Sequence, residues 1–193
     1  MKLRLGWLAA LLACCAITMP ASAFHGEDVS TADYGRVLRL DDHTGARRSL
    51  VDFRGRVVLL FFGFTYCPDI CPTELLRLAE LRRILGQDAH GIQVLFVTLD
   101  PERDSAESLA SYVTGFDPSF IALRGSREET DAAAREFKVF HHRIKGSAPD
   151  RYTIDHSAYI YAIDTNGSLR LRFDGTAKLG EMAEDIRALL AGR

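Results

Sequence analysis

Two cysteines lie four positions apart in the stretch GFTYCPDICPTEL, residues 63–75, and a proline follows each of them. Thiolates are nucleophiles and soft metal ligands, so Cys67 and Cys71 are candidates for a redox disulfide, a metal site or two buried thiols. Four residues of helix rise about 6 Å, which is within reach of a disulfide and of a shared metal ion. The spacing alone leaves these three chemistries open.

A histidine in the stretch TIDHSAYIY is the third candidate ligand. If the strand at 157–163 runs antiparallel to the strand that ends near Phe64, its beginning lies at the same sheet edge as the cysteines. His156 would then face both sulfurs. Two thiolates and one imidazole suit Cu(I), whereas a closed structural zinc site wants four protein ligands. Copper, as Cu(I) and conceivably also Cu(II), is therefore the predicted metal.

The other histidines are interpreted as ordinary surface or core residues. His141 and His142 are adjacent, so in an extended segment their side chains point to opposite sides. His43 falls in a predicted turn and His90 in a predicted loop. None of the four has the spacing of a ligand pair.

The first 23 residues have the composition of a secretory signal peptide. Basic residues at the start precede an apolar stretch at 5–19, and the small-residue triplet Ala-Ser-Ala follows at 21–23. We expect export to the periplasm with cleavage after this triplet. An uncleaved membrane anchor that leaves the protein facing the periplasm is the alternative, and lipid attachment at Cys14 is a third.

Export would leave Cys67 and Cys71 as the only cysteines of the mature chain, since the other two lie in the signal segment. An oxidising compartment closes such pairs unless something keeps them reduced. One short disulfide loop adds little stability to a domain that is large enough to form its own core. The pair is therefore predicted to have a chemical role.

Composition indicates one globular domain behind a short linker. The chain has 193 residues, of which 47% are hydrophobic and 26% charged, and a formal net charge of −2 without a block of basic residues. This charge pattern argues against a nucleic-acid partner. Residues 24–35 are polar and mixed and are predicted to be a tether, and residues 36–193 are predicted to be the domain.

The cysteines are predicted to lie between a buried strand and a helix. The run RVVLLFFGF at 56–64 is continuously apolar and rich in branched and aromatic residues, which favours a strand covered on both faces. Pro72 suits the first position of a helix, which makes Cys71 its cap. The helix is predicted to bury one apolar stripe, made of Leu75, Leu76, Leu78, Ala79, Leu81 and Ile84.

Strands and helices then alternate, which implies a parallel sheet with right-handed crossovers. Before the cysteines, residues 35–55 predict a hairpin turned at 42–45, and residues 145–150 predict a loop. The Asn-Gly of TNGS predicts a second hairpin. The remaining predictions are strands at 92–100 and 120–125, helices at 105–113 and 126–137, the second with a Ser-x-x-Glu capping box, and a last helix at 178–190.

This order of elements is that of an α/β thioredoxin-like fold with an extra N-terminal hairpin and an inserted helix and loop. Redox members of that fold usually place two residues between the cysteines and a proline before the strand that faces them. Here three residues separate the cysteines, and His156 occupies the facing position. A potential metal ligand thus replaces a residue that shapes the backbone.

Three stretches resemble the signature motifs of the Sco/SenC family, namely GFTYCPDICPTEL, FVTLDPERD and YTIDHSAYIYAIDTNGSLR. The resemblance covers most of the chain from about residue 36. It implies a thioredoxin-fold copper chaperone that metallates the binuclear copper site of cytochrome c oxidase, with copper on Cys67, Cys71 and His156. Asp100, in the second motif, is expected either to orient the site or to cap the following helix.

Two functions from different classes stay open. In one, the protein carries copper to the copper-bearing subunit of cytochrome c oxidase and receives it from another copper chaperone. In the other, it is a thiol-disulfide reductase that keeps the acceptor cysteines reduced. A separate reductase is also an expected partner of this protein. Whether the protein is itself an enzyme is therefore undecided. A thiol peroxidase is a third idea, suggested by CPTE, but Pro68 occupies the position where such enzymes place a hydroxyl residue.

Overall fold

A computed structural model describes residues 24–148 and 151–193. The four helices are α1 (Ile70–Leu85), α2 (Ala106–Thr114), α3 (Arg127–Glu136) and α4 (Leu179–Leu190), with short 3-10 helices at Leu50–Phe53 and Gly86–Gly91. The strands are β1 (Glu27–Asp28), β2 (Arg39–Asp42), β3 (Arg47–Ser49), β4 (Val57–Gly63), β5 (Ile92–Thr98), β6 (Ile121–Arg124), β7 (His141–Ala148), β8 (Arg151–His156), β9 (Ile160–Ile163) and β10 (Leu169–Phe173).

One mixed sheet carries most of the core, in the order β1-β10-β9-β4-β5-β6-β2-β3. Strands β4, β5 and β6 are parallel, and β9 pairs antiparallel with β4. Every residue of β4 and of β5 is buried, as the apolar runs predict for strands covered on both faces. This is the predicted mixed α/β architecture with a thioredoxin-like centre.

Adjacent aromatic residues of β4 contact different parts of the core. Phe61 packs near Phe96 with ring centroids 6.2 Å apart, whereas Phe62 packs near Phe137 at 5.6 Å. Successive strand residues point to opposite faces of a sheet, so each face of β4 receives its own aromatic cluster. The strand is therefore fixed from both sides just before the cysteines.

Helix α1 begins two residues earlier than the sequence predicts. Asp69 occupies the cap position, so Cys71 is the second helical residue and Pro72 the third. The first intrahelical bond runs from the backbone N–H of Thr73 to the carbonyl of Asp69. Because the N–H groups of a first helical turn lack partners inside the helix, proline fits anywhere in that turn and does not mark its first residue.

The predicted apolar stripe of α1 is partly wrong. Leu75, Leu78 and Leu81 are buried and Ala79 is partly buried, but Leu76 is 60% exposed and Ile84 is 38% exposed. Glu74 and Leu85 are buried instead. The helix is covered on only one side by the sheet and α4, and an apolar residue on its outer side looks the same in sequence as one on its inner side.

Strands β7 and β8 form a two-stranded antiparallel ribbon, separate from the main sheet. The predicted loop at 145–150 is therefore wrong for residues 145–148, which belong to β7. The register shifts between Lys145 and Ala148. A Cβ on Gly146 would lie 2.0 Å from the carbonyl oxygen of Arg151, so glycine permits the close approach of the two chains here.

Residues 24–35 pack on the domain and do not form the predicted free tether. Strand β1 pairs antiparallel with β10, and Val29 is buried. The buried carboxylate of Asp185 in α4 accepts hydrogen bonds from the backbone N–H groups of His25 and Gly26. Polar composition hides this packing, because the contacts are made mainly by backbone. The predicted signal segment, residues 1–23, lies outside the described residues.

The remaining helix and hairpin predictions are confirmed within a residue or two. Ser126 caps α3 with the predicted capping box, and Ser105 caps α2 by accepting a hydrogen bond from the N–H of Ser108. The hairpins β2–β3 and β9–β10 lie where the turn residues place them. Among the described helices, none combines the length and apolarity that a membrane crossing requires.

Candidate metal centre

The structure brings Cys67, Cys71 and His156 together at one edge of the main sheet. Their ligand atoms all lie within 4.8 Å of one another, and they are the one such group of three found among the described residues. Cys67 follows β4 on the loop to α1, Cys71 is in the first turn of α1, and His156 ends β8. The Sγ of Cys71 lies 3.4 Å from the Nε2 of His156.

Strand order explains this meeting of distant residues. Because β9 pairs antiparallel with β4, with Phe61 opposite Ile160, the chain enters β9 at the edge where β4 ends. His156 lies just before β9, and the cysteines lie just after β4. The expected antiparallel pairing is confirmed, and it places the imidazole beside the sulfurs.

Gly63, the last residue of β4, makes room for the buried sulfur. A Cβ at this position would lie 2.7 Å from the Sγ of Cys71 and 2.9 Å from the ring of Phe96. Both distances are shorter than real Cβ contacts, so any larger residue would displace Cys71 or the aromatic ring. Glycine at the end of this strand is therefore a steric requirement of the site.

The two sulfurs differ in exposure and in charge. Cys67 is partly exposed and Cys71 is fully buried, and both are free thiols. A hydrogen bond from Cys71, aided by the backbone N–H groups of Asp69 and Cys71, lowers the pKa of Cys67 to about 4. The same hydrogen bond together with burial raises the pKa of Cys71. The pair therefore holds one proton, on Cys71, near neutral pH.

The ring of His156 has a fixed tautomer and orientation. Its Nδ1 lies 3.0 Å from the backbone carbonyl of Ser157, which can only accept, so Nδ1 carries the proton. The lone pair of Nε2 is then free and directed at Cys71. Phe61 and Phe64 pack edge-on against the ring with centroids 6.4 and 5.9 Å away. The imidazole is thus prepared as a ligand through Nε2.

A buried carboxylate fastens the cysteine loop to the sheet. Asp104 accepts hydrogen bonds from the N–H of Thr65 at 3.1 Å, the hydroxyl of Thr65 at 2.5 Å and the hydroxyl of Thr98 at 2.5 Å. Burial raises the pKa of Asp104 in spite of these hydrogen bonds. Thr65 is two residues before Cys67, so this network fixes the start of the ligand loop on β5.

Asp100 does not cap α2, since Ser105 does, and this alternative from the sequence is wrong. Its fully buried carboxylate instead accepts a hydrogen bond of 2.7 Å from the hydroxyl of Tyr152 and pairs with Arg103. Tyr152 lies on β8, four residues before His156. The carboxylate therefore connects the β5–α2 loop to the strand that carries the imidazole.

The other histidines lie apart from the three candidate ligands. His141 is opposite His156 in the ribbon, but its Nε2 lies 3.1 Å from the carboxylate of Asp131, and burial lowers its pKa. His142 is exposed on the other side of the strand. His43 accepts a hydrogen bond from the N–H of Ala122 through Nδ1. His141 and His43 therefore have structural hydrogen-bond partners.

Sequence reasoning missed two contributors to the site, Gly63 and Arg103. A glycine at the end of an apolar strand is a recognised sign of a close approach, so that signal was present. Arg103 lies within FVTLDPERD and pairs with Asp100 of the same motif, but its contacts with Tyr66 and Tyr152 join it to segments far away in sequence, which the motif itself does not reveal.

Comparison with known proteins identifies the family. The family profile described as SCO1/SenC matches residues 27–191. The chain belongs to the SCO1/SenC family. Among curated relatives, the mitochondrial SCO2 homolog of Danio rerio is 42% identical over 152 residues, which are 78% of this chain and 54% of that protein. The chain spans only 54–60% of the length of the first vertebrate relatives.

Solved structures of Sco proteins have the same fold. Apo Sco1 from Thermus thermophilus is 36% identical with a TM-score of 0.76, and the match covers 86% of this chain and 97% of that one. ScoI of Bradyrhizobium japonicum, solved with copper bound, is 32% identical with a TM-score of 0.74, covering 81% of this chain and 99% of that one. These likenesses confirm the thioredoxin-like fold of this Sco family member.

Proposed function

We propose that this chain is a copper metallochaperone that binds Cu(I) through Cys67, Cys71 and His156 and delivers it to the binuclear copper site of cytochrome c oxidase. The observation that carries the proposal is the meeting of two sulfurs and one unprotonated imidazole nitrogen within 4.8 Å. A similar structure, that of Bradyrhizobium japonicum ScoI, was solved with copper bound. Soft sulfur ligands select Cu(I) among the biological metals.

The donor atoms are close to what one ion needs. Three ligands spread evenly around one ion at roughly 2.3 Å, the length of a zinc–thiolate bond, are about 4.0 Å apart. The three ligand atoms lie within 4.8 Å of one another, so an inward movement of less than about 1 Å suffices. Cys67 is already a thiolate at neutral pH, and loading must displace the proton of Cys71.

Unequal exposure suits a carrier. Cys67 and His156 are partly exposed, whereas Cys71 is fully buried at the foot of the site. An acceptor thiolate or imidazole can approach the two outer ligands and replace them one at a time while Cys71 still holds the ion. Transfer by ligand exchange needs no turnover chemistry of the protein's own.

The redox state of the cysteines tests the metal site. We expect the reduced protein to bind one Cu(I) per chain tightly in competition with a chelator, because both sulfurs are available as thiolates. The disulfide form should bind none with comparable affinity, since the bond consumes both ligands. Equal uptake by the two forms would exclude this site. Both titrations use a His25→Ala background, so that copper binding at the N-terminus does not contribute.

His156→Ala tests the third ligand, with His142→Ala as the matched control on the same ribbon. The first variant should bind Cu(I) more than about 100-fold more weakly, since even the partners of metal ligands contribute 10- to 100-fold. His142→Ala should leave the affinity for Cu(I) unchanged, because His142 is exposed and is not one of the candidate ligands. Parent-like binding by His156→Ala would show that this histidine is structural.

The second candidate function is a thiol-disulfide reductase for the acceptor cysteines. A partly exposed Cys67 thiolate with a pKa of about 4 and a buried partner thiol is also the arrangement of an attacking and a resolving cysteine. His156→Ala separates the two functions, because it removes a copper ligand and keeps the dithiol. If cells with this variant keep full oxidase activity at limiting copper, the reductase function is the physiological one.

We also propose that the protein is exported and works in the periplasm. The support is the signal-like composition of residues 1–23. Intact-mass measurement of protein from a periplasmic fraction should give a chain that begins at Phe24. A mass that retains the first 23 residues would favour the anchored alternative, and a mass increased by a lipid would favour attachment at Cys14.

A further inference from the structure

Arg103 contacts two of the segments that meet at the candidate metal centre, the loop that carries Cys67 and the strand that carries His156. Its Cζ lies 3.6 Å from the ring centroid of Tyr152 and 4.8 Å from that of Tyr66. Its Nη1 donates a hydrogen bond of 2.9 Å to the backbone carbonyl of Tyr152. Tyr66 immediately precedes Cys67, and Tyr152 lies four residues before His156. One side chain therefore joins the cysteine loop to the histidine strand.

The position of Arg103 is itself fixed. Its Nε donates to the fully buried carboxylate of Asp100, which also accepts the hydroxyl hydrogen of Tyr152. A buried ion pair with further hydrogen bonds holds its geometry strictly, because breaking it would leave an unpaired buried charge. The guanidinium is thus held close to both tyrosine rings, where its planar, delocalised cation can stack in a way that a lysine ammonium cannot.

The ribbon needs such a connection. The pairing of β9 with β4 fixes the chain just after His156, but β7 and β8 pair only with each other, so among the described strands no sheet hydrogen bond fixes the ribbon itself against the cysteine loop. Backbone bonds between Phe140 and Ser157 close the base of the ribbon. Arg103 adds a second attachment: it holds β8 at Tyr152, four residues from His156, and it contacts Tyr66 of the cysteine loop.

We infer that Arg103 is a positioning residue of the metal centre, which sets the separation between the Cys67 loop and the His156 strand and thereby the affinity for Cu(I). The part of this inference that concerns Cu(I) affinity rests on the proposed copper function. It assigns to Arg103 no contact with the metal: its Nε and Nη1 donate hydrogen bonds to Asp100 and Tyr152, and its buried Nη2 has no hydrogen-bond partner among the described residues. The residue acts through the distance between ligands that other elements carry.

Arg103→Lys is the principal variant, and Arg143→Lys is its matched control. Lysine keeps a positive charge near Asp100 but loses the planar stack and the hydrogen bond to Tyr152. Arg143 lies 4.0 Å from the same tyrosine ring and pairs with Glu102, and its described contacts do not include the cysteine loop. We expect the Kd for Cu(I) to rise at least about 10-fold in the first variant and less than about 3-fold in the second.

A double-mutant cycle distinguishes positioning from a general structural role. If Arg103 acts by setting the distance to His156, Arg103→Lys should change the Kd by less than about 3-fold in a His156→Ala background. An equal loss in both backgrounds, or parent-like affinity of Arg103→Lys, would overturn the inference. Tyr66→Leu removes the stack at an exposed residue without touching the buried ion pair, and it should weaken binding several-fold at unchanged stability.

A measurement without copper tests the role of Arg103 independently of the proposed copper function. The 15N NMR signals of the His156 ring report its bare Nε2 beside Cys71. These signals should shift in Arg103→Lys and stay unchanged in Arg143→Lys. If the parent bound no copper, the proposed function would fall, while this comparison would still decide the role of Arg103. Unchanged ring signals in Arg103→Lys would count against it.

Discussion

The ligands of the candidate metal centre come from two regions that are built differently. The cysteines lie between β4, which is buried along its whole length, and α1, which packs against α4. The histidine ends a ribbon of two strands whose residues are mostly exposed or partly exposed. Apolar packing therefore fixes the buried sulfur of Cys71, whereas hydrogen bonds, an ion pair and ring stacking contribute more to the position of the imidazole.

This difference indicates which part of the site tolerates change. Close-packed regions resist displacement because every shift opens a void or creates a clash. Polar contacts at a partly exposed ribbon are individually weaker and can be remade in new arrangements. We therefore expect that the sulfurs stay in place during metal transfer and that the imidazole side of the site adapts to the acceptor.

The largest expected effect comes from the apolar packing beneath the cysteines. Leu75→Ala removes a fully buried side chain of α1 and should lower the free energy of unfolding by about 2–5 kcal/mol. Ile144→Ala on the ribbon removes a side chain that is 47% exposed and should change it by less than about 0.5 kcal/mol. Chemical denaturation of both variants measures the contrast, and similar losses would contradict it.

A smaller but more local effect is expected at Gly63. Gly63→Ala places a Cβ against the Sγ of Cys71 and the ring of Phe96, so overpacking should cost about 1–3 kcal/mol of stability. Cu(I) affinity should fall as well, because the buried sulfur moves. Thermal unfolding and copper competition titrations on the same samples check both.

Gly180→Ala is the control for this substitution. Gly180 lies in α4, its φ is not in the left-handed region, and a Cβ there meets nothing within 4 Å. Alanine should therefore be neutral or stabilise the helix by up to about 1 kcal/mol. A stability loss at Gly180 equal to that at Gly63 would show that the crowding of Cys71 is not the cause.

The smallest expected effect concerns the pH dependence of the exposed sulfur. With a pKa of about 4, Cys67 stays a thiolate from about pH 5 to pH 8, so its alkylation rate should be nearly flat there. An ordinary cysteine with a pKa near 8.5 reacts about tenfold faster per pH unit over this range. The absolute alkylation rate of Cys67 rises by less than its larger thiolate fraction alone would give, because the nucleophilicity of a thiolate falls as its pKa falls. Peptide mapping should find the label on Cys67.

Cys71→Ala tests the cause of that pH profile. The hydrogen bond from Cys71 is the main stabiliser of the Cys67 thiolate, so its removal should raise the pKa of Cys67 and restore a slope to the rate. A profile that stays flat would assign the low pKa to the backbone N–H groups of Asp69 and Cys71.

Most of the helices and strands and all three candidate ligands were predictable from local patterns in the sequence. Continuous apolar runs identified β4 and β5, because strands covered on both faces have no polar side. Capping serines located the starts of α2 and α3, and Asn-Gly located the last hairpin, because these signals depend on neighbours a few residues away. The types and spacing of Cys67, Cys71 and His156 depend on sequence alone, and the family motifs around them are specific.

The residues that surround these ligands could be identified only from the three-dimensional packing. The exposure of Leu76, the packing of residues 24–35 and the ribbon at 141–156 depend on partners far away in sequence. The roles of Gly63 and Arg103 likewise arise from contacts between separate elements. Local patterns fix local structure because they act over a few residues, whereas burial and contact are set by how the whole chain packs.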